Sequence, residues 1–404
     1  MSYEFTGDAE RRLERYVSEI GDVLRNKKRR ESFAMYFLGL CGEGERKSVE
    51  PIAARAAAEP AATRAVTERL LHFLVDSQWD DQDVRRVAAR EAIGALLERE
   101  PIDSWVIDDT GFLKQGTKSP GVQRQYTGTA GKTTNCQLAP SLTLCTRTSE
   151  VSVDMDLYIP QSWADDAKRC AEARIPDEVR FRAKWQIGLD MVRRAVDAGY
   201  PPGLLLADSA YGDVGAFRAG VRELGLDYAL DVKVHTRVRI VCSDGSESEA
   251  MTVATVADVI GRRALRRVTW REGSKRTLWS RFACVRVRAV TEAEPDGGEE
   301  QWLIIDRPNR SEPPIHYTLC TLPKSWSHKR IVRRMKQRWR IERTYEDLKG
   351  ELGLDHFEGR TYSGWQHHVT CVLSCAAFVV AERARAFPPS ARWPQTDGSL
   401  RRAA

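Results

Sequence analysis

Between Gln337 and Arg343 the chain reads Gln-Arg-Trp-Arg-Ile-Glu-Arg, which sets one carboxylate, Glu342, in a dense field of cations. From Lys329 to Lys349 nine basic residues stand against three acidic ones, so a helix predicted over about Lys329 to Leu352 attracts a polyanion. In that helix Arg338, Glu342 and Lys349 project from one face, and Arg333 and Arg340 from the opposite one. A carboxylate flanked on its own face by two cations suits a metal ligand held beside a phosphate. Taken by itself, the same stretch reads first as a solvated charged face with local Glu–Arg pairs, and only the rest of the chain shifts that balance.

Two further segments supply acids in the same style. Ser104 to Gly111 reads as a short β-rich run ending in Asp108 and Asp109, and Gly203 to Gly212 as an apolar strand ending in Asp208. The carboxyl ends of strands are where open α/β sheets bind ligands. A lone Asp after a strand is more often a turn or helix-cap residue, but two such strands and the basic helix make a constellation. Asp109 stays open as the alternative to Asp108. Asp154 and Asp156, on a predicted strand, rank third, with one of them expected at the surface.

The order Asp108, Asp208, Glu342, with Asp-x-x-Tyr at Asp208 to Tyr211 and Arg-Trp-Arg-Ile-Glu followed by Lys349, resembles the DDE transposases of bacterial insertion sequences, in particular the insertion sequence 4-related group and its 701-type relatives. Their signature is Tyr, two residues, Arg, three residues, Glu, six residues, Lys. Arg338, Glu342 and Lys349 fit that spacing, while Met335 stands at the Tyr position and Tyr345 is the residue able to supply a hydroxyl nearby. Gly353 to Arg360, Asp108 to Lys114 and Arg124 to Gly128 also look like the 701-type relatives, and the resemblance runs over roughly residues 30 to 380. It implies a metal-dependent DNA endonuclease and strand transferase. Asp108, Asp208 and Glu342 would be its catalytic metal ligands, holding two Mg²⁺ ions that Mn²⁺ can replace. Arg338, Lys349, Tyr345, Trp339 and Arg340 would lie on DNA, and a dimer would assemble on transposon ends and target DNA.

Composition agrees. The 404 residues are 42% hydrophobic, enough for substantial cores, and the net charge of +6 is modest because the basic residues are clustered. Nine scattered cysteines without a Cys-x-x-Cys pair, and no signal peptide at a polar N-terminus, are read as reduced thiols of a cytoplasmic, nucleoid-associated protein. The apolar run Val369 to Ala381 is too short to span a bilayer, so no membrane role is expected. His367 and His368 with Cys371 and Cys375 read as one apolar helix rather than a zinc site.

The elements that must position these residues follow. Residues 1–100 carry apolar positions at helical spacing and are expected to form an N-terminal helical domain, with a basic cluster from Arg25 to Arg30 for transposon-end DNA. Residues 101–233 and 323–386 read in the order β-β-β-α-β-α-β, an α/β arrangement that is ribonuclease H-like and that the resemblance also implies. Residues 234–322 alternate apolar and polar positions and form a β-rich insertion, where Trp270, Trp279 and Trp302 stand among arginines in a way that suits bases as well as an ordinary sandwich core. Residues 387–404 are expected to be a disordered tail. Three other readings stay open: a catalytically silent transposase-derived DNA-binding protein, a structure-specific nuclease of the same fold, and an aspartyl phosphatase, whose Asp-x-Asp-x-Thr spacing Asp108-Asp109-Thr110 lacks.

Overall fold

The computed structural model describes residues 7–272, 277–308, 314 and 316–386. The expected tail and Arg276 lie outside them. Five helices come first: α1 (Gly7–Leu24), α2 (Lys27–Cys41), α3 (Val49–Ala56), α4 (Thr63–Leu71) and α5 (Asp81–Leu97). Asn26 and Asp80 start α2 and α5 by accepting the first free amides of each helix. The stripe Tyr16, Ile20 and Leu24 recurs every fourth residue and is buried with Phe33 and Phe37. It packs on the last helix among the described residues: Tyr16 stacks on Phe378 at 5.4 Å and donates to the Ser374 carbonyl, while Arg12 grips Glu382. This helical layer therefore shares a core with the C-terminus, leaving Arg25, Lys27 and Lys28 exposed.

A sheet follows, built from β1 (Ser104–Leu113), β2 (Gln123–Thr127), β3 (Lys132–Cys145) and β4 (Glu150–Met155). Two short helices, α6 (Gln161–Ala164) and α7 (Ala167–Glu172), precede the crossover helix α8 (Lys184–Asp197). Then come β5 (Leu204–Ala207), α9 (Ser209–Gly212), α10 (Gly215–Glu223) and β6 (Tyr228–Val232). β1 runs antiparallel to β3 and parallel to β5, and β5 parallel to β6. The parallel members Leu204–Ala207 and Tyr228–Val232 are short and apolar because both of their faces are covered.

The β-rich stretch contributes β7 (Arg237–Ile240), β8 (Met251–Thr252), α11 (Val253–Val259), β9 (Arg266–Glu272), β10 (Thr277–Val290), β11 (Glu300–Arg307) and β12 (His316–Cys320). These strands extend the same sheet, since β12 pairs with β6 and the order runs β2-β3-β1-β5-β6-β12-β11-β10-β7-β8. The chain closes with α12 (His328–Met335), α13 (Arg340–Gly350) and α14 (Tyr362–Ala386). α14 is apolar nearly all round because the N-terminal helices cover one side and the sheet the other. Among the described residues no helix is long and apolar enough to cross a membrane.

The helix expected over Lys329 to Leu352 is two helices. Lys336 to Trp339 form a turn whose backbone bonds tighten to i→i+3, with the Arg340, Ile341 and Glu342 amides donating to Gln337, Arg338 and Trp339. Arg338 therefore sits on a turn rather than on the face that carries Glu342. The segment has no Gly or Pro to break it, and its side chains are tied outward to other elements, as described below.

Candidate active site

Strand alternation sorts the acids. Along β1, Val106 belongs to a cluster with Leu204, Leu206 and Ala229 and with Ile331, Val332 and Ile341 of α12 and α13. Trp105 and Ile107 face the other way, into the main core with Leu205, Ala207, Leu230 and α8. Side chains two apart share a face, so Asp108 midway along β1, just beyond its pairing with β5, Asp208 directly after β5 and Asp231 in β6 all lie on the face covered by α12 and α13. Asp109 lies on the opposite face. There its Oδ2 is 3.0 Å from Nζ of Lys184, the first residue of α8. Sequence alone left Asp108 and Asp109 undivided, and the pleat separates them.

Asp108 accepts from the Asp109 amide at 2.8 Å, and its Oδ2 is 3.2 Å from the Arg338 guanidinium. The same guanidinium lies 3.9 Å from Asp231, whose other oxygen accepts from the Thr318 hydroxyl. Burial pushes the Asp108 carboxyl up to about 7; Arg338 pulls against this, while Asp208 and Asp109 add to it. Asp109 is also raised, chiefly by burial, with Lys184 opposing. Asp208 caps α9 by accepting the Ala210 amide at 2.9 Å. α9 fits there because Gly212 abuts the backbone at Asp231, where an added Cβ would come within 2.2 Å of the carbonyl.

Glu342, Tyr345 and Lys349 occupy one face of α13 at i, i+3 and i+7. Glu342 is exposed, in the first turn. Lys349 is half-buried against the end of β1, its ammonium 2.8 Å from the Gly111 carbonyl and 3.4 Å from the Thr129 hydroxyl. Desolvation lowers its pKa. Trp339 is half-buried on the turn.

Two residues expected on DNA point elsewhere. Arg340 is buried and bonds the Thr146 carbonyl and Glu150, because the helix starts with that side chain turned toward β4. The Tyr345 hydroxyl is committed to Ser141 at 2.7 Å on the floor of the site. Neither is available to a phosphate in this conformation. Asp154 and Asp156 also depart from expectation: both are buried, and each is paired with Arg85 and Arg194. Of the three insertion tryptophans, Trp302 is buried and donates to Leu322, Trp270 packs edge-on against Phe282, and Trp279 is exposed between Arg267 and Arg281. His367 and His368 serve as packing groups, bonded to the Leu74 carbonyl and the Tyr36 hydroxyl.

Sequence reasoning missed Asp231 and Lys184. Asp231 carried the same signal as Asp208, an apolar strand interrupted near its end by an acid. Lys184 carried none.

The donor set is all carboxylate oxygen, the chemistry that Mg²⁺ favours. A second observation fits a group not yet accounted for. The Tyr211 hydroxyl is fully buried with no hydrogen-bond partner among the described residues, and the negative field of Asp109, Asp108 and Asp208 adds to the burial that raises its pKa. Among the described residues no three His, Cys, Asp or Glu side chains converge closely enough to hold an ion unaided. A cation here would draw remaining ligands from water or substrate.

The chain belongs to the DDE superfamily endonucleases, whose profile matches residues 19–277. The profile of the transposase DDE domain matches residues 185–378, and the two stretches together contain Asp108, Asp208 and Glu342. The chain is also 28% identical over 214 residues to the probable transposase for insertion sequence element IS701 of Microchaete diplosiphon. That alignment covers 52% of this chain and 51% of the relative, so the chain spans about half the length of the curated relative it matches.

Proposed function

We propose that the protein is a DDE transposase that binds the ends of an insertion sequence, cleaves phosphodiester bonds there and joins the 3′ ends to target DNA. The carrying observation is the delivery of Asp108 and Asp208 to one sheet face, beneath the α13 helix whose first turn carries Glu342. The strand order around β1, with β3 antiparallel and β5 and β6 parallel, supports a ribonuclease H-like core. The β7 to β12 stretch is the insertion, and the five leading helices are the candidate end-binding part, with Arg25, Lys27 and Lys28 exposed for phosphate.

Asp108, Asp208 and Glu342 would hold two Mg²⁺ ions, with Mn²⁺ able to replace them. When bound, such ions activate a water or 3′-hydroxyl and offset charge at phosphorus. The chain's own part is positional. Arg338 holds the Asp108 carboxylate and carries a positive charge to the site, while Lys184 keeps Asp109 engaged on the far side of the strand. Lys349 brings a cation to the end of β1, where a phosphate would replace the Gly111 carbonyl as its partner. Transposition brings two ends together, so a dimer on DNA is the expected assembly, acting in the cytoplasm at the nucleoid.

The test is labelled element-end DNA with Mg²⁺, comparing wild type with Glu342→Gln. Specific end cleavage that disappears in the variant while binding persists supports the reading. Joining of those ends to a target then separates a transposase from a nuclease of the same fold. The second reading, a DNA-binding protein without cleavage, draws on the exposed Glu342 and on the lack of three converging ligands. Binding without cleavage by wild type under Mg²⁺ and Mn²⁺ would favour it.

A further inference from the structure

The segment carrying Arg338 and Glu342 rests on the insertion as much as on the central strands. Ile331, Val332, Met335 and Ile341 share one apolar cluster with Val106 and Leu206 below the acids and with Val268, Phe282, Trp302 and Ile304 of the insertion. Polar ties run the same way. Arg333 donates to the Thr269 carbonyl at 3.1 Å, and the His328 ring stands edge-on to Trp302. At the first residue of the turn, the Lys336 ammonium lies 2.6 Å from Oδ2 of Asp306 on β11. Asp306 is only 1% exposed, and its other oxygen accepts from the Ser280 hydroxyl of β10. The ammonium also lies 5.2 Å from the Trp270 ring and 5.5 Å from the Phe282 ring.

A buried carboxylate with one cationic partner is costly to expose, so it holds that partner in place. Two residues beyond Lys336, Arg338 reaches Asp108, and α13 with Glu342 follows. The turn between the two helices is bonded mainly by tight i→i+3 backbone bonds, and its side-chain anchors fix how it is set against the rest of the fold.

We propose that Asp306 and Lys336 are positioning residues: their ion pair locks the α12–α13 turn to the insertion and so aims Arg338 and Glu342 at the acids on β1 and β5. The insertion is thereby a structural member of the active site as well as an appended surface. The catalytic consequence rests on the proposed function, but the tether itself does not.

Asp306→Asn separates the two, since it keeps the size of the side chain and a bond to Ser280 while removing the charge. In the full chain without DNA or metal, amide exchange over residues 336–342 should quicken by about tenfold or more while α1 to α5 keep wild-type protection. With saturating element-end DNA and Mg²⁺, single-turnover cleavage should fall roughly 10- to 100-fold, with the Kd for DNA within about twofold. Lys336→Met cuts the pair from the other side and should reproduce both effects. The double variant, which leaves no lone buried charge, should regain thermal stability without regaining the cleavage rate. Wild-type exchange over 336–342 in Asp306→Asn, or a rate that recovers together with stability in the double variant, would overturn the proposal. If wild type cleaves nothing, the proposed function fails, and the exchange measurement still decides the tether.

Discussion

Two clusters of acids, one buried and one half-buried, lie at this sheet and are treated in opposite ways. On β4 and directly after it, Asp154 and Asp156 meet Arg85 of α5 and Arg194 of α8 at 2.7 to 3.5 Å, and Arg85 is further held by Thr370 and Gln366 of α14. Burial works to raise the Asp156 carboxyl, but Arg194 and Arg85 overcome it and hold it below the usual carboxylate range. In mid-β1, after β5 and in β6, Asp108, Asp208 and Asp231 have Arg338 as the cation reaching both Asp108 and Asp231, and the Asp108 carboxyl rises to about 7. With Asp81 also meeting Arg85 at 3.0 Å, the first cluster sets two arginines against three acids, the better matched of the two, and closes the fold between three layers. The second holds more negative charge than its own cations neutralise, which is the signature of a site completed by something else.

The largest expected effect tests that contrast by chemistry. Asp108→Asn should lower end cleavage by on the order of 10³-fold, about 4 kcal/mol of transition-state stabilisation, with DNA binding retained. Asp109→Asn, on the other face, should lose much less. Equal losses in single-turnover assays would erase the distinction drawn from strand alternation.

The matched cluster should respond in stability instead. Arg85→Met leaves two buried carboxylates with Arg194 as their main cation, and should cost about 3–5 kcal/mol in denaturant unfolding. Cleavage per folded molecule should stay near wild type. A stable variant would mean that the network is not holding the layers together.

The two clusters also predict opposite pH responses. Asp108 has a folded pKa above its unfolded value, so between pH of about 4 and 7 the folded chain keeps a proton that the unfolded chain has released. Its contribution to stability is present below that window and is lost as pH rises through 7. Asp156, with its pKa lowered, contributes stability above the unfolded pKa that is lost as the pH falls toward its folded value. In chelator, Asp108→Asn should therefore match wild type near pH 4 and exceed it by roughly 2–4 kcal/mol at pH 8. A pH-independent difference would mean that Asp108 is already neutralised within the fold.

The smallest effect concerns Tyr211. Tyr211→Phe removes a buried hydroxyl with no protein partner, so stability should hold or improve slightly, while cleavage should drop by about tenfold if that hydroxyl orients a water or phosphate oxygen. Wild-type cleavage would make the hydroxyl a bystander.

Much of this was legible residue by residue. Asp108 and Asp208 were visible because apolar runs end at them, and Glu342 because an acid inside a basic field is conspicuous. The break at Lys336 to Trp339 was not, because the residues there are ordinary helix formers. What bends them is Lys336 held by Asp306 and Arg338 held by Asp108, partners far away in sequence. The partners of Arg340 were hidden for a related reason: a basic residue beside the signature reads as a DNA contact, and only the fold brings Glu150 and the Thr146 carbonyl to it. The N-terminal helices were expected as such, but their merger with α14 depends on Tyr16, Phe37 and Phe378 meeting across the whole chain.

By itself the sequence determined the class of protein and made Asp108, Asp208 and Glu342 candidates on elements of recognisable type, because local patterns of period 2 and 3.6 and short motif spacings are properties of neighbouring residues. Only the tertiary structure decided which acid of the Asp108–Asp109 pair faces α13, that Asp231 joins it, that β7 to β12 extend the same sheet, and that Asp306 of β11 meets Lys336 in the turn before Glu342. Those outcomes depend on pleat, register and the pairing of buried charges between distant segments, and such pairings are settled by which groups must leave water together.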